Sequence, residues 1–290
     1  MAWCGEDLVL LPQYPNRFQS EATDQVFAIP HEDIQAFLSG KSQYGIEPET
    51  IAFDSKSVET LLPGFEGFES ILFTGDVFYV TVEARNAGEM MGYILTGQVL
   101  GDCDSLVLYP TSVQALEPQA DVDNISHETL IYFEDHVYAI YEANGVNVNP
   151  SPIAHVFDWQ LGMRREIQMT PIEYRVTDAA QVQVDEAGEF WGINYFFPGD
   201  AGDLKPGVDQ IALEFGIGRL HRDAEPVERL VKFRIDDSGV HLVDQAPIYL
   251  ELMDGDSRNW EGLVNFGAGF LLVTDKFPRT ILAYVEGVEE

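Results

Sequence analysis

One β-hairpin pattern recurs along this chain, and the repeat restricts the folds that the chain can adopt. It is clearest in three stretches of equal length, FESILFTGDVFYVTVEA (68–84), HETLIYFEDHVYAIYEA (127–143) and WEGLVNFGAGFLLVTDK (260–276). Each has two runs rich in aromatic and β-branched residues around a turn, as β-hairpins do. An acid stands second in each stretch and another acid fourteen positions later, which gives the pairs Glu69 and Glu83, Glu128 and Glu142, and Glu261 and Asp275. Because three hairpins share these positions, we expect the acids to have a common role.

Two weaker copies extend the pattern. VTDAAQVQVDEAGEFWGINYFF has Asp178 as its leading acid and, after a turn two residues longer, Asn194 in the second position. RFQSEATDQVFAIPHED has Phe18 in place of the first acid and Glu32 in the second position. The copies start near residues 18, 69, 128, 178 and 261, and most intervals are about 50 residues. This spacing allows about four short strands per repeat, which is typical of a β-propeller blade.

The predicted fold is therefore all-β, a single β-propeller domain over residues 1–290 with four-stranded antiparallel blades. We predict five blades. Six is the alternative, because the 83 residues from Asp178 to Glu261 would accommodate two compressed blades. We interpret DAGDLKPGVDQIALEFGIGRLHRDAEP (200–226) as an insertion within one blade. The last copy has three strands, so the N-terminal strand at 8–11 is expected to complete it and close the ring.

One segment has two interpretations. IPHEDIQAFLSGK, from Ile29, has the composition of a capped helix, but it occupies a strand position in the repeat, and we predict a strand. Trp159, Trp191 and Trp260 are predicted to be core or blade-packing residues. His127, beside Glu128, is interpreted as a polar surface or capping residue, with a place at the channel mouth as the alternative.

Charge restricts the partners. The chain has 49 acidic and 16 basic residues, a net charge of -33, and this field repels nucleic acids and anionic membranes while it attracts cations. The acids are spread along the chain and only five residues are lysine, as on surfaces adapted to high salt. No apolar run is long enough for a transmembrane segment, and no signal peptide is visible. Cys4 and Cys103 are predicted either to form one disulfide or to be free buried thiols.

In a propeller the first strand of each blade lines a central channel, so the leading acids are expected to converge there. Clustered carboxylates suit a hard cation such as Ca²⁺, which takes about six to eight oxygen ligands. The predicted metal ligands are Glu69, Glu128, Asp178 and Glu261. A second ring would ligate, orient or only form hydrogen bonds, and it comprises Glu32, Glu83, Glu142, Asn194 and Asp275. The alternative role is structural capping of backbone N–H groups, which we favour for the second ring.

The hairpins FESILFTGDVFYVTVEA and NWEGLVNFGAGFLLVTDKFPRTILAYV resemble the glutamate-led hairpins of the SdiA-regulated propellers and of the wider phytase-like, or esterase-like, bacterial propellers. The resemblance covers residues 66–84 and 258–285 and extends less closely to 124–144. It implies a propeller fold, a calcium ion near the channel and an exported protein that is periplasmic, extracellular or lipid-anchored. Residue by residue it covers Glu69, Glu128 and Glu261, whereas Asp178 is a substitution and Phe18 breaks the ring.

Three functions are compatible with these residues. The first is a non-catalytic, calcium-binding propeller that takes a small molecule or a protein at the channel mouth, since no nucleophile–base motif is present. The second is a metal-dependent hydrolase of phosphoesters or lactones, with the cation as Lewis acid and Glu142 as general base. Basic residues for phosphate are sparse, with Arg85, Lys276 and Arg279 near the hairpins. The third is a purely structural, salt-adapted propeller.

Overall fold

The computed structural model of the protein describes residues 1–290 except 19–22, 87, 163, 184–186, 223–224, 253–255, 277–278 and 289–290. Antiparallel strands dominate it, which confirms the all-β prediction. The chain divides into two compact units, Met1–Leu116 and Glu117–Glu290. None of the helices within the described ranges is long and apolar enough to cross a membrane.

The first unit contains one sheet with the strand order β1-β2-β3-β4-β8-β7-β6-β5, and β9 pairs with β7. Two antiparallel meanders, β1 to β4 and β5 to β8, are joined by the parallel pair β4 and β8. The strands are β1 (Ala2–Cys4), β2 (Asp7–Leu10), β3 (Asp24–Pro30), β4 (Glu49–Asp54), β5 (Phe65–Thr74), β6 (Val77–Asn86), β7 (Glu89–Leu100), β8 (Ser105–Leu108) and β9 (Gln114–Leu116). The helices are α1 (His31–Leu38) and α2 (Lys56–Leu61). Short 3-10 helices span Pro15–Phe18 and Pro110–Ser112.

The N-terminal repeat differs from its prediction. The segment after Ile29 is helix α1 and not a strand, because Pro30 precedes it, Glu32 lies in its first turn and Ile34 alone is buried. Glu32 is exposed on this helix. No hairpin joins Phe18 to Glu32, since β3 pairs with β2 and β4 instead. Residues 19–22 of this copy lie outside the described residues.

The strand predicted at 8–11 exists as β2, but its partners are β1 and β3 in the first unit. The prediction that this strand completes the sheet of the last repeat was therefore wrong. Cys4 of β1 forms a disulfide with Cys103, in the turn between β7 and β8. Of the two states left open by the sequence, the disulfide is the one found.

The second unit contains three sheets, with the orders β10-β11-β12-β13, β14-β15-β16-β17 and β19-β20-β21, and β18 pairs with β16. The strands are β10 (Thr129–Phe133), β11 (His136–Ile140), β12 (Ile153–Asp158), β13 (Arg164–Gln168), β14 (Arg175–Ala179), β15 (Glu189–Phe196), β16 (Val227–Asp236), β17 (Gly239–Leu242), β18 (Ile248–Tyr249), β19 (Trp260–Phe266), β20 (Gly269–Thr274) and β21 (Leu282–Glu286). The segment between β15 and β16 carries a 3-10 helix (Pro198–Asp200), α3 (Ala201–Leu204) and α4 (Gln210–Phe215).

Aromatic residues pack as predicted at two of three positions. Trp260 is fully buried and Trp191 is nearly so, whereas Trp159 is 52% exposed at the end of β12. His127 is fully buried, with its ring between those of Tyr141 and His155 at centroid distances of 5.1 and 5.2 Å. Its interpretation as a surface or channel-mouth residue was therefore wrong.

Candidate functional site

The leading acid lies at an irregularity of the strand pairing in three of the hairpins. The β5–β6 register shifts between Phe68 and Ser70, the β14–β15 register between Val176 and Ala179, and the β19–β20 register between Trp260 and Gly262. Glu69, Asp178 and Glu261 are the residues at these shifts. A β-bulge re-aims a side chain and interrupts the alternation of the strand. At these three positions an acid followed by a small residue coincides with a register shift.

The second position of the repeat faces the residue two places before the leading acid. Glu83 is paired with Gly67, and Asn194 is paired with Val176. In the other hairpins the backbone N–H of Glu142 donates to the Ser126 carbonyl at 2.8 Å, and that of Asp275 donates to the Asn259 carbonyl at 3.0 Å. The spacing of the acids therefore follows from the register of the hairpins.

Arg175, the first residue of β14, brings three of the predicted glutamates together. Its Nη2 lies 3.6 Å from Glu128 Oε1 and 3.5 Å from Glu261 Oε1. Its Nε donates to Glu142 Oε1. Glu142 is fully buried, and the Arg175 side chain is 13% exposed. We call Arg175, Glu128, Glu142 and Glu261 the Arg175 site.

The backbone explains why Arg175 reaches these acids. Arg175 forms an antiparallel bridge with Ala143, and Val176 N–H donates to the Glu142 carbonyl at 2.9 Å. On the other side of β14, the Thr177 hydroxyl donates to the Trp260 carbonyl at 2.7 Å. The start of β14 is thus held between the end of the β10–β11 hairpin and the start of β19.

Polar and aromatic side chains hold the guanidinium in place. Its central carbon lies 5.5 Å from the ring centroid of Tyr195, its cross-strand neighbour on β15. Asn259 Oδ1 lies 3.5 Å from Arg175 Nη1, and Asn259 Nδ2 donates to Glu261 Oε1 at 2.7 Å. Asn194, which is fully buried, donates to the Arg175 carbonyl at 3.2 Å. Asn194 therefore fixes the backbone of the site instead of facing its acids.

The protonation of Glu261 differs from that of an ordinary glutamate. Burial, followed by the negative charge of Glu128, raises the pKa of Glu261 to about 8, and Arg175 opposes this rise. The Glu261 side chain is still 23% exposed. The raised pKa favours the protonated form of Glu261 near neutral pH.

Asp178 has a structural contact. Its Oδ2 accepts the backbone N–H of Leu263 at 2.8 Å, which ties β14 to β19. Burial raises the pKa of Asp178 to about 6. This bond is the capping role that was the alternative to metal ligation.

The remaining predicted residues have other contacts. Glu69 and Glu83 belong to the first unit, where Glu69 Oε1 accepts from Gln13 Nε2 at 3.3 Å and Glu83 is buried. Asp275 is exposed after β20, and its carbonyl accepts from Asn259 Nδ2 at 3.0 Å. Glu32 lies on α1, as described above.

Arg175 was not predicted from the sequence. It stands three residues before the leading acid Asp178, and Arg258 stands three residues before Glu261. Arg258 also binds a buried glutamate, with its Nη2 at 3.1 Å from Glu228 Oε2. An arginine at this offset was therefore a usable signal, although two of the four hairpins have Glu66 and Ile125 there.

The Arg175 site does not fit a calcium ion as it is arranged. The oxygens of its glutamates face a guanidinium, and a second cation among them would meet that positive charge at short range. In the ranges that the structure describes, no group of three or more His, Cys, Asp or Glu side chains is placed to hold a metal. Calcium binding stays a prediction.

The known proteins that resemble this chain resemble it in fold alone. No family model matches the chain, and no curated protein matches it significantly. A glycosyl hydrolase from Bacteroides ovatus has a similar structure, with a TM-score of 0.50 and 11% sequence identity over 98% of this chain and 82% of that chain. This likeness supports a β-propeller fold. The number of blades and their closure stay predictions, as does the resemblance to SdiA-regulated and phytase-like propellers.

Two further structures are more distant. A bifunctional GH43-CE protein from Bacteroides eggerthii has a TM-score of 0.43 and 12% identity, over 98% of this chain and 34% of that chain. The α-L-arabinanase of Cellvibrio cellulosa has a TM-score of 0.39 and 10% identity, over 97% and 86%. Likenesses at this level are too weak to support a functional conclusion.

Proposed function

We propose that the chain is a hydrolase that cleaves a neutral glycoside at the Arg175 site, with Glu261 as general acid and Glu128 as general base. The observation that carries the proposal is that both glutamates contact the same guanidinium nitrogen while the pKa of Glu261 is raised to about 8. Two neighbouring carboxyl groups with different proton affinities are the usual source of acid and base in one site.

The reaction needs one proton donor and one proton acceptor. Glu261 donates its proton to the leaving oxygen as the bond from that oxygen to the sugar carbon breaks. Glu128, held as a carboxylate beside Arg175, takes a proton from the water whose oxygen forms the new bond to that carbon. Proton exchange with solvent then restores both groups.

Arg175 and Glu142 act as positioning residues. Arg175 balances the charge of Glu128, and the fully buried Glu142 holds the guanidinium through Nε. The ring of Tyr195 packs against the guanidinium and limits its movement. These contacts fix the separation of acid and base before a substrate arrives.

The negative net charge of the protein favours a neutral substrate over an anionic one. The net charge of -33 repels phosphoesters, so the phosphoesterase alternative is disfavoured. A glycosidic bond has an uncharged oxygen that must be protonated as it leaves, which is the task that Glu261 can perform. The glycosyl hydrolase with a similar fold agrees with this class, although its likeness concerns the fold only.

A second candidate function is non-catalytic binding. It is favoured by the pairing of both Glu128 and Glu142 with Arg175, since a charge-balanced polar site can also hold a ligand through hydrogen bonds. A small molecule or a protein would be bound there without turnover. Calcium at another position stays part of this candidate. For either function we propose an exported protein, because disulfides such as Cys4–Cys103 persist in oxidising compartments.

The test is hydrolysis of a panel of neutral aryl glycosides and unactivated oligosaccharides. We expect turnover of at least one sugar class, and Glu261→Gln should lower kcat/KM for oligosaccharides by about 100-fold or more. The loss should be smaller for nitrophenyl glycosides, whose leaving group needs little protonation. Glu286→Gln, at an exposed glutamate on β21, is the control and should retain activity. Saturable binding of an oligosaccharide without turnover would instead support the second candidate.

A further inference from the structure

A cavity of about 300 Å³ lies beside α4 in the second unit, and the proposed reaction does not use it. Its walls are mainly apolar and include Ile172, Val208 and Ile211, while Glu173 and Asp209 bring carboxylates to it. Val208 is 61% exposed, so the cavity is accessible from solvent at this residue. The volume equals roughly ten water molecules at about 30 Å³ each, which is enough for a small organic molecule.

The charge of Asp209 is already balanced. Its two carboxylate oxygens each accept from the guanidinium of Arg229 at 2.9 Å, and Arg229 is buried. Asp209 Oδ1 also accepts the Ala212 N–H at 3.1 Å at the start of α4. Asp209 therefore holds the segment before α4 in place and carries no unbalanced charge into the cavity.

Glu173 is different, because its hydrogen bonds come from neutral groups. It is 6% exposed, and its carboxylate accepts the Gly207 N–H at 2.7 Å and the Val146 N–H at 3.3 Å. Within the described part of the chain no lysine or arginine lies within ion-pair distance of it. A buried carboxylate without a counter-ion is costly, and a cation that enters the cavity would relieve that cost.

Two glycines leave room for the Glu173 carboxylate. A Cβ added at Gly145 would lie 2.8 Å from Glu173 Oε2, and one added at Gly207 would lie 2.8 Å from Glu173 Oε1. Either contact is too short for a real side chain, so glycine at these positions leaves room for the carboxylate between two loops. The negative charge is thus built into the wall of the cavity.

We propose that this cavity binds a small organic ammonium ion, with the ammonium group on Glu173 and an apolar body against Ile172 and Ile211. The ammonium supplies the missing counter-charge and donates hydrogen bonds to the carboxylate. The apolar body gains from the apolar walls. The proposal is independent of the Arg175 site.

The test uses benzylamine and its neutral analogue benzyl alcohol. Calorimetry measures the binding of each compound to the full chain. High ionic strength suppresses the non-specific attraction of the ammonium ion to the acidic protein. We expect saturable binding of benzylamine and at least tenfold weaker binding of benzyl alcohol. Glu173→Gln should weaken benzylamine binding by about tenfold or more. Asp237→Asn, which removes an exposed acid, should leave it unchanged.

Val208→Trp provides an independent variant, because it fills the mouth of the cavity from an exposed position without disturbing Glu173. It should abolish benzylamine binding while the thermal midpoint stays close to that of the wild type. No saturable binding of benzylamine, equal binding of the alcohol, or unchanged binding by Glu173→Gln would each overturn the proposal.

Discussion

Arg175 carries the positive charge around which Glu128, Glu142 and Glu261 lie. Without it, three neighbouring carboxylates would repel one another. With it, the guanidinium offsets part of the rise in the pKa of Glu261, which stays at about 8. The different roles that we assign to Glu128 and Glu261 thus depend on one buried arginine.

Arg175→Met should strongly destabilise the protein, because it leaves the fully buried Glu142 without its partner. Removal of one member of a buried ion pair costs about 3–5 kcal/mol. Urea unfolding of the full chain measures this cost. Arg219→Met is the matched control, since the Arg219 side chain is 76% exposed, and its effect should be within about 0.5 kcal/mol. Equal effects of both substitutions would contradict the central place of Arg175.

The hairpins were the most predictable elements. Alternation and turn residues located β5–β6, β10–β11 and β19–β20, because these pairings are local in sequence. In the fourth copy the first strand of the hairpin is β14, which ends one residue after the leading acid Asp178.

Elements whose partners are distant in sequence were less predictable. The strand β2 was identified, but its neighbours are set by packing in the first unit and not by any local pattern. Helix α1 was misassigned because the repeat was given more weight than the helical composition. The Arg175 site was half predicted, since its acids recur with the repeat while Arg175 does not.

The disulfide joins two elements of the first unit, and its loss should destabilise the protein. It connects residues 99 positions apart, and the chain-entropy account gives a loss of about 2–5 kcal/mol. Cys4→Ser should lower the unfolding midpoint, and reduction of the wild type should lower it equally. Reduction should have no further effect on the variant. Titration of two free thiols in the native, unreduced protein would show that the disulfide does not form.

The protein combines a net charge of -33 with a propeller-type fold. The acidic surface disfavours anionic substrates, and the strand ends bring carboxyl groups from separate hairpins to one arginine. The sequence predicted the acidic character and the repeat from composition and spacing. It did not predict which acids would keep a proton, because that depends on burial and on a charge contributed by another strand.

In the proposed function Glu261 acts as a general acid, and the pH dependence of kcat/KM for an unactivated oligosaccharide tests this role. Glu261 must be protonated to act, and its pKa is raised to about 8, so activity should persist at neutral pH and fall as the pH rises through about 8. Glu261→Gln should lose most of the activity at neutral pH and should not show the fall in activity near pH 8. Turnover by Glu261→Gln equal to that of the wild type, or a wild type that binds the sugar without cleaving it, would contradict the account.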